Sequence, residues 1–139
     1  VEAEIQSSGL GNQVRILPMI SREELVQLYH KADITLFPSK YQSGFSRIPL
    51  EAMACGSVIV SYGKEGSNEI IQDGKNGFIL IASNFLAAFD CISILIKNPG
   101  LAAQIIHQAR TDIESSYSLN NYVETIEMYL LQTLQRCPV

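Results

Sequence analysis

The stretch Leu36-Phe37-Pro38-Ser39-Lys40-Tyr41-Gln42-Ser43-Gly44-Phe45-Ser46-Arg47-Ile48-Pro49-Leu50-Glu51-Ala52-Met53-Ala54-Cys55-Gly56, followed at once by Ser57-Val58-Ile59-Val60-Ser61, decides the fold. It reads as a strand, a glycine-containing loop, a helix, a glycine stop and a second strand. That order is a parallel βαβ crossover, and it puts the loop at the carboxyl end of a strand, where open α/β sheets present their ligands. Ser46 is the expected N-cap of the helix, Pro49 is tolerated in its first turn, and Gly56 supplies a left-handed stop.

Working outward, Asp33-Ile34-Thr35-Leu36-Phe37 is apolar on both sides, which predicts a central strand with helices on both faces. Before it, Ser21 and Glu24 form a capping box, with Leu25, Leu28, Tyr29 and Ala32 on one face of the helix that follows. Val14-Arg15-Ile16-Leu17 reads as a short strand broken by Pro18, and Glu2 to Gln6 as the tail of a helix ended by Gly9 and Gly11. After the crossover, Val58-Ile59-Val60 is a buried strand. Gly63 to Glu69 is a second loop at the same sheet edge, so both loops open onto one crevice. Asp73-Gly74-Lys75-Asn76-Gly77 is a turn, and Phe78-Ile79-Leu80-Ile81 a last short strand. From Ser83 onward the pattern is helical. Ser83 caps a helix with Phe85, Phe89, Ile92 and Ile96 on one face; Asn98-Pro99 opens a second through Leu101, Ile105 and Ala109; Ser118 caps a third through Tyr122, Ile126, Leu130 and Leu134. The fold class is therefore α/β, a Rossmann-like parallel sheet flanked by helices and ending in a helical segment.

At 139 residues the chain is one domain in size, and 47% hydrophobic with 17% charged residues is the balance of a soluble globular protein. No apolar run reaches the roughly 18 residues of a membrane span. The acidic Val1-Glu2-Ala3-Glu4 does not read as a targeting segment. A net charge of −4, with no basic block or stripe, argues against nucleic acid as a partner. Cys55, Cys91 and Cys137 are odd in number and far apart, which favours free buried thiols in a reducing compartment. His30 and His107 lack neighbours at metal-ligand spacing and read as helix-surface residues, so no metal site is expected.

A helix that follows a glycine loop offers unpaired N–H groups and the positive end of its dipole, which makes Phe45, Ser46 and Arg47 candidates for holding a phosphate. The plainer reading is that Gly44 only lets the chain turn. Glu51 lies one turn into the helix, placed either to accept hydroxyl hydrogen bonds from a ribose or to sit exposed on the helix surface. Glu69 either caps the next turn or reaches the crevice. Lys64 and Arg47 are either phosphate-facing cations or solvated surface residues. No Ser/His/Asp triad, Walker-type loop or paired metal ligand is present.

The residues Phe37-Pro38-Ser39, Ser43-Gly44-Phe45-Ser46, Pro49-Leu50-Glu51-Ala52-Met53-Ala54-Cys55-Gly56 and Val58-Ile59-Val60-Ser61 resemble the signature of the retaining glycosyltransferases of the glycogen synthase and sucrose synthase-like group, whose fold is called GT-B. Val14 to Leu17, Leu25 to Asp33, and Glu69-Ile70-Ile71-Gln72-Asp73-Gly74-Lys75-Asn76-Gly77-Phe78 fit the same pattern, so the likeness covers roughly residues 10 to 80 in order. The resemblance implies the carboxyl-terminal, donor-binding half of such an enzyme, with a nucleotide diphosphate sugar as donor substrate and no cofactor. Glu51 matches the second glutamate of the family's paired motif, which holds the ribose. The backbone of Gly44, Phe45, Ser46 and Arg47 would meet the sugar and phosphates, Leu17 to Met19 would flank the base, and Glu69 matches the donor-loop glutamate. The catalytic position, eight residues before Glu51, is Ser43. A hydroxyl there still hydrogen-bonds a sugar but supplies no carboxylate. The family's diphosphate-binding Arg and Lys, its first two βα units and its acceptor-binding domain have no counterpart before Val14. The chain is accordingly expected to be part of a longer transferase and inactive alone.

Three functions follow. The first is the donor half of a transferase acting on a glycan or lipid-linked acceptor, cytoplasmic or at the inner membrane face. The second is a non-catalytic nucleotide-sugar-binding or assembly module, possible if Ser43 marks a degenerate site. The third is an unrelated doubly wound domain for another phosphate ligand. An incomplete sheet would also leave an edge beside Val14 to Leu17 for pairing with another chain.

Overall fold

A computed structural model describes residues 1–39, 46–63, 66–80 and 84–136. In chain order the elements are α1 (Glu2–Ser7), α2 (Arg22–Lys31), β1 (Ile34–Phe37), α3 (Ile48–Ala54), β2 (Val58–Ser61), α4 (Ser67–Ile70), β3 (Phe78–Ile79), α5 (Phe85–Lys97), α6 (Pro99–Ser116) and α7 (Leu119–Arg136). The sheet runs β1-β2-β3 and both pairings are parallel. Ile34 lies opposite Val58 and Phe37 opposite Ser61, so β1 and β2 end level and their following segments leave from one edge, as the crossover predicts.

Every residue of β2 is buried, and its alternation divides the core. Val58 and Val60 face a cluster with Tyr62, Leu80, Ala88, Cys91, Leu95 and Ile105. Ile59 faces the other way, into Tyr29, Ala52, Met53, Ile70, Ile71 and Ala109. Helices α2, α3 and α4 thus cover one face and α5 the other. Helix α6 contributes Ile105 to the first cluster and Ala109 to the second.

Local chemistry sets the helix ends. The Ser21 hydroxyl accepts from the Glu24 N–H at 3.2 Å, and the Glu24 carboxylate accepts from the Ser21 N–H at 2.9 Å, the expected capping box. At the end of α3, Gly56 has φ +82°; its N–H donates to the Met53 carbonyl while the Ser57 N–H donates to that of Ala52. This is a Schellman stop, and it turns the chain directly into β2. The Ser118 hydroxyl accepts from the Asn121 N–H at the start of α7, as expected.

Several expectations are corrected. Val14–Leu17 is not a strand: among the described residues no strand pairs with it, the Val14 N–H turns back to the Leu10 carbonyl, and Pro18 removes a donor. β1 is an edge strand of the described sheet rather than a central one; β2 holds the centre, and Leu36 is 44% exposed. β3 covers Phe78–Ile79; Leu80 of the predicted strand lies outside it, and Ile81 lies outside the described residues. The N-cap of α3 is Arg47, one residue later than predicted, although the Ser46 hydroxyl still accepts from the Ile48 N–H at 3.3 Å. The cap of α5 is Asn84, which accepts from the Leu86 N–H; Ser83 lies outside the described residues. Helix α5 buries Ala88, Cys91 and Leu95, and leaves Phe85, Phe89 and Ile96 largely exposed. Small residues let the helix approach the sheet closely, and the bulky stripe turns outward. On α7 the stripe of Tyr122, Ile126, Leu130 and Leu134 is present and exposed, and no described residue of that helix is buried.

Candidate donor site

A cleft that holds the predicted site residues Ser46, Arg47 and Glu51 lies between the start of α2 and the start of α3. It encloses about 620 Å³ and is lined by Ile20, Ser21, Arg22, Leu25, Tyr29, Ser46, Arg47, Ile48 and Glu51. Two short elements build it. The capping box holds the start of α2, which presents Arg22 and, two turns on, Tyr29. Pro49 begins α3 with its φ already helical, and Ala52 and Met53, both fully buried, fix the helix so that Glu51 is left half-buried at the wall.

The carboxylate of Glu51 and the guanidinium groups of Arg22 and Arg47 have no hydrogen-bond or ion-pair partner among the described residues. Tyr29 lies close enough to feel Glu51. Burial pushes its phenol above the ordinary value, and the negative charges of Glu51 and Cys55 push the same way. Burial also raises the Cys55 thiol, the Arg110 guanidinium opposes that shift, and Glu51 adds to it. In the first turn of α3 the Ile48 N–H donates to the Ser46 hydroxyl, and Pro49 has none to offer. The described side chains that line the cleft include two cations, one carboxylate and a phenol.

The other predicted residues are spread around the same edge. Leu17 lines a neighbouring hollow of about 400 Å³ with Arg15, Glu23 and Lys31, and Ile20 belongs to both hollows. Met19 is fully exposed. Glu69 is exposed on α4, beyond the carboxyl end of β2. Ser43, Gly44, Phe45 and Lys64 lie outside the described residues. Among the described residues no group of three or more His, Cys, Asp or Glu is placed to hold a metal, and no single helix is long and apolar enough to cross a membrane. Sequence reading missed Arg22 and Tyr29. Arg22 follows a capping serine and looks like an ordinary first-turn residue, and Tyr29 was assigned only to the packed face of α2.

Glu51 thus lies one turn into the helix of the βαβ unit, in the wall of a cleft that Arg22 and Arg47 also line. The family model described as glycosyl transferases group 1 matches residues 1–112. The chain belongs to that family. An uncharacterized glycosyltransferase of Methanocaldococcus jannaschii is 30% identical over 122 residues, 87% of this chain and 31% of that protein. Among solved structures, the C-terminal domain of a glycosyl transferase group 1 family protein (LpcC) from Francisella tularensis superposes with TM-score 0.73 at 27% identity, covering 85% of this chain and 60% of that one. Anabaena HepE in complex with UDP-glucose superposes with TM-score 0.77, also at 27% identity, covering 97% of this chain and 35% of that one. This glycosyl transferases group 1 chain thus has the Rossmann-like C-terminal architecture of GT-B proteins. It spans about a third of the length of the Methanocaldococcus and Anabaena proteins.

Proposed function

We propose that this chain is the donor-binding part of a glycosyltransferase that moves a sugar from a nucleotide diphosphate sugar to a glycan or lipid-linked acceptor, with retention of the anomeric configuration. The observation that carries the reading is the Glu51 carboxylate in the α2–α3 cleft, unpaired among the described residues, at the position where the family's ribose-binding glutamate falls. A carboxylate accepts two hydroxyl hydrogen bonds, so it suits a vicinal diol. Arg47 and Arg22 face the same space and supply positive charge toward a departing diphosphate, the electrostatic help such a transfer needs. The neighbouring apolar surface at Leu17 and Ile20 suits a base. The complex of the Anabaena relative with UDP-glucose supports a uridine donor. Ser43 in place of the family's first glutamate favours a second reading, a module that binds the donor without transferring it.

Titrating the chain with UDP, GDP and their glucose and mannose conjugates, followed by NMR, tests both. Shifts centred on Ser46 to Glu51 are expected. A chain silent to every nucleotide has neither function. Restoring the carboxylate by Ser43→Glu in the complete transferase separates the two: a gain of transfer activity from an inactive parent supports the module, and an already active parent excludes it.

A further inference from the structure

Behind the sheet edge, four consecutive residues are held from one side. Asn76 is 1% exposed, and its side chain makes three hydrogen bonds. Oδ1 accepts from the Gln72 N–H at 2.7 Å, while Nδ2 donates to the Ile70 carbonyl at 3.1 Å and to Asp112 Oδ2 at 2.8 Å. The other Asp112 oxygen accepts from Gln108 Nε2 at 2.8 Å, so α6 fixes the carboxylate that fixes Asn76. Tyr117, directly after α6, donates its hydroxyl to the Glu69 carbonyl at 3.1 Å. Ile70 and Ile71 are 3% and 2% exposed in the core. The backbone from Glu69 to Gln72 is therefore pinned at each residue, by a hydrogen bond or by a buried side chain. The Glu69 side chain projects from this segment to solvent, with no hydrogen-bond or ion-pair partner among the described residues.

We infer that Asn76 and Asp112 are positioning residues that aim Glu69 at the sugar of the bound donor, an inference that rests on the donor-site reading above. An asparagine suits the role because one amide both donates and accepts. An aspartate of the same shape would set an acceptor against the Ile70 carbonyl and the Asp112 carboxylate. Neither residue touches the crevice, so their effect reaches the ligand only through the backbone of Glu69 to Gln72.

The test compares UDP-glucose with UDP, because only the former carries a sugar for Glu69 to meet. Calorimetric affinities for both are measured in wild type, Asn76→Asp, the milder Asp112→Ala, Glu69→Gln, and Asp112→Ala combined with Glu69→Gln. Asp112→Ala is expected to reduce the preference for UDP-glucose by about threefold to tenfold, with no further reduction in the Glu69→Gln background. Amide exchange of residues 69–72 should quicken in Asp112→Ala while β2 is unchanged. A lowered melting temperature with the preference intact makes the pair merely structural and overturns the inference, as does an equal loss in the Glu69→Gln background or unchanged exchange. If Glu69→Gln alone leaves the preference untouched, Glu69 has no donor role and the inference falls, while UDP binding at Glu51 stands. If wild type binds neither nucleotide, the donor-site reading falls with it.

Discussion

The α2–α3 cleft and the Asn76 node are both polar, and they are opposites. Around Asn76 every strong donor and acceptor finds a partner within about 3 Å, and the residue is sealed from water. In the cleft, Arg22, Arg47 and Glu51 converge on open space and pair with nothing described. Satisfied polar groups hold a fold, and unsatisfied ones wait for something else to complete them. The contrast sets the cleft apart from the rest of the described molecule without reference to any motif.

The contrast breaks most visibly at the node. Asn76→Leu leaves the Ile70 carbonyl, the Gln72 N–H and one oxygen of Asp112 without the amide, which should cost about 4 kcal/mol in urea unfolding. A loss under about 1 kcal/mol would mean that water replaces the amide. A second closed position, Cys91, tests burial against ionisation. Its thiol is buried and pushed up from 9.0 to about 11, chiefly by burial, with Asp73 adding to the shift. A raised folded value means that the native state keeps a proton the unfolded chain releases. Stability is therefore complete below pH 9 and falls by roughly 2 to 3 kcal/mol on approaching pH 11. Cys91→Val should show a shallower decline, keeping only what the raised Tyr29 and Cys55 contribute, which chemical denaturation at pH 8, 10 and 11 would show.

On the open side the expected signature is reversed. Glu51→Gln should weaken UDP binding by about 30-fold, near 2 kcal/mol, and shift unfolding by less than about 0.5 kcal/mol. Should it instead destabilise the chain with no effect on binding, Glu51 belongs with the node. Arg22→Gln carries the smallest effect, a weakening of about threefold that shrinks as salt is raised, measured by the same titration at two ionic strengths.

What was legible in the sequence was local. The Ser21–Glu24 box, the Gly56 stop and the Ser118 cap each depend on residues within a few positions, and each formed. The parallel βαβ unit followed from the same short-range signals. Edge and centre were not legible, because the place of β1 depends on which strands lie beside it and not on its own apolar run. The buried face of α5 was misread since the helix is apolar nearly all round, and two stripes fit one period. Asn76 looked like a turn residue, and its partner Asp112 is 36 positions away. Glu51 was found through the motif, whereas Arg22 became visible only once α2 stood against α3.

Helix α3 bears Glu51 and has only seven residues, far shorter than a helix that persists alone in water. Its last carbonyls are engaged from afar: that of Cys55 lies 3.0 Å from Nδ1 of His30 on α2, and that of Ala54 accepts from Arg110 on α6. Those contacts close loops of 25 and 56 residues. The helix that carries Glu51 is thus held in place by α2 and α6 and not by its own length, so loosening either of them loosens the wall of the cleft.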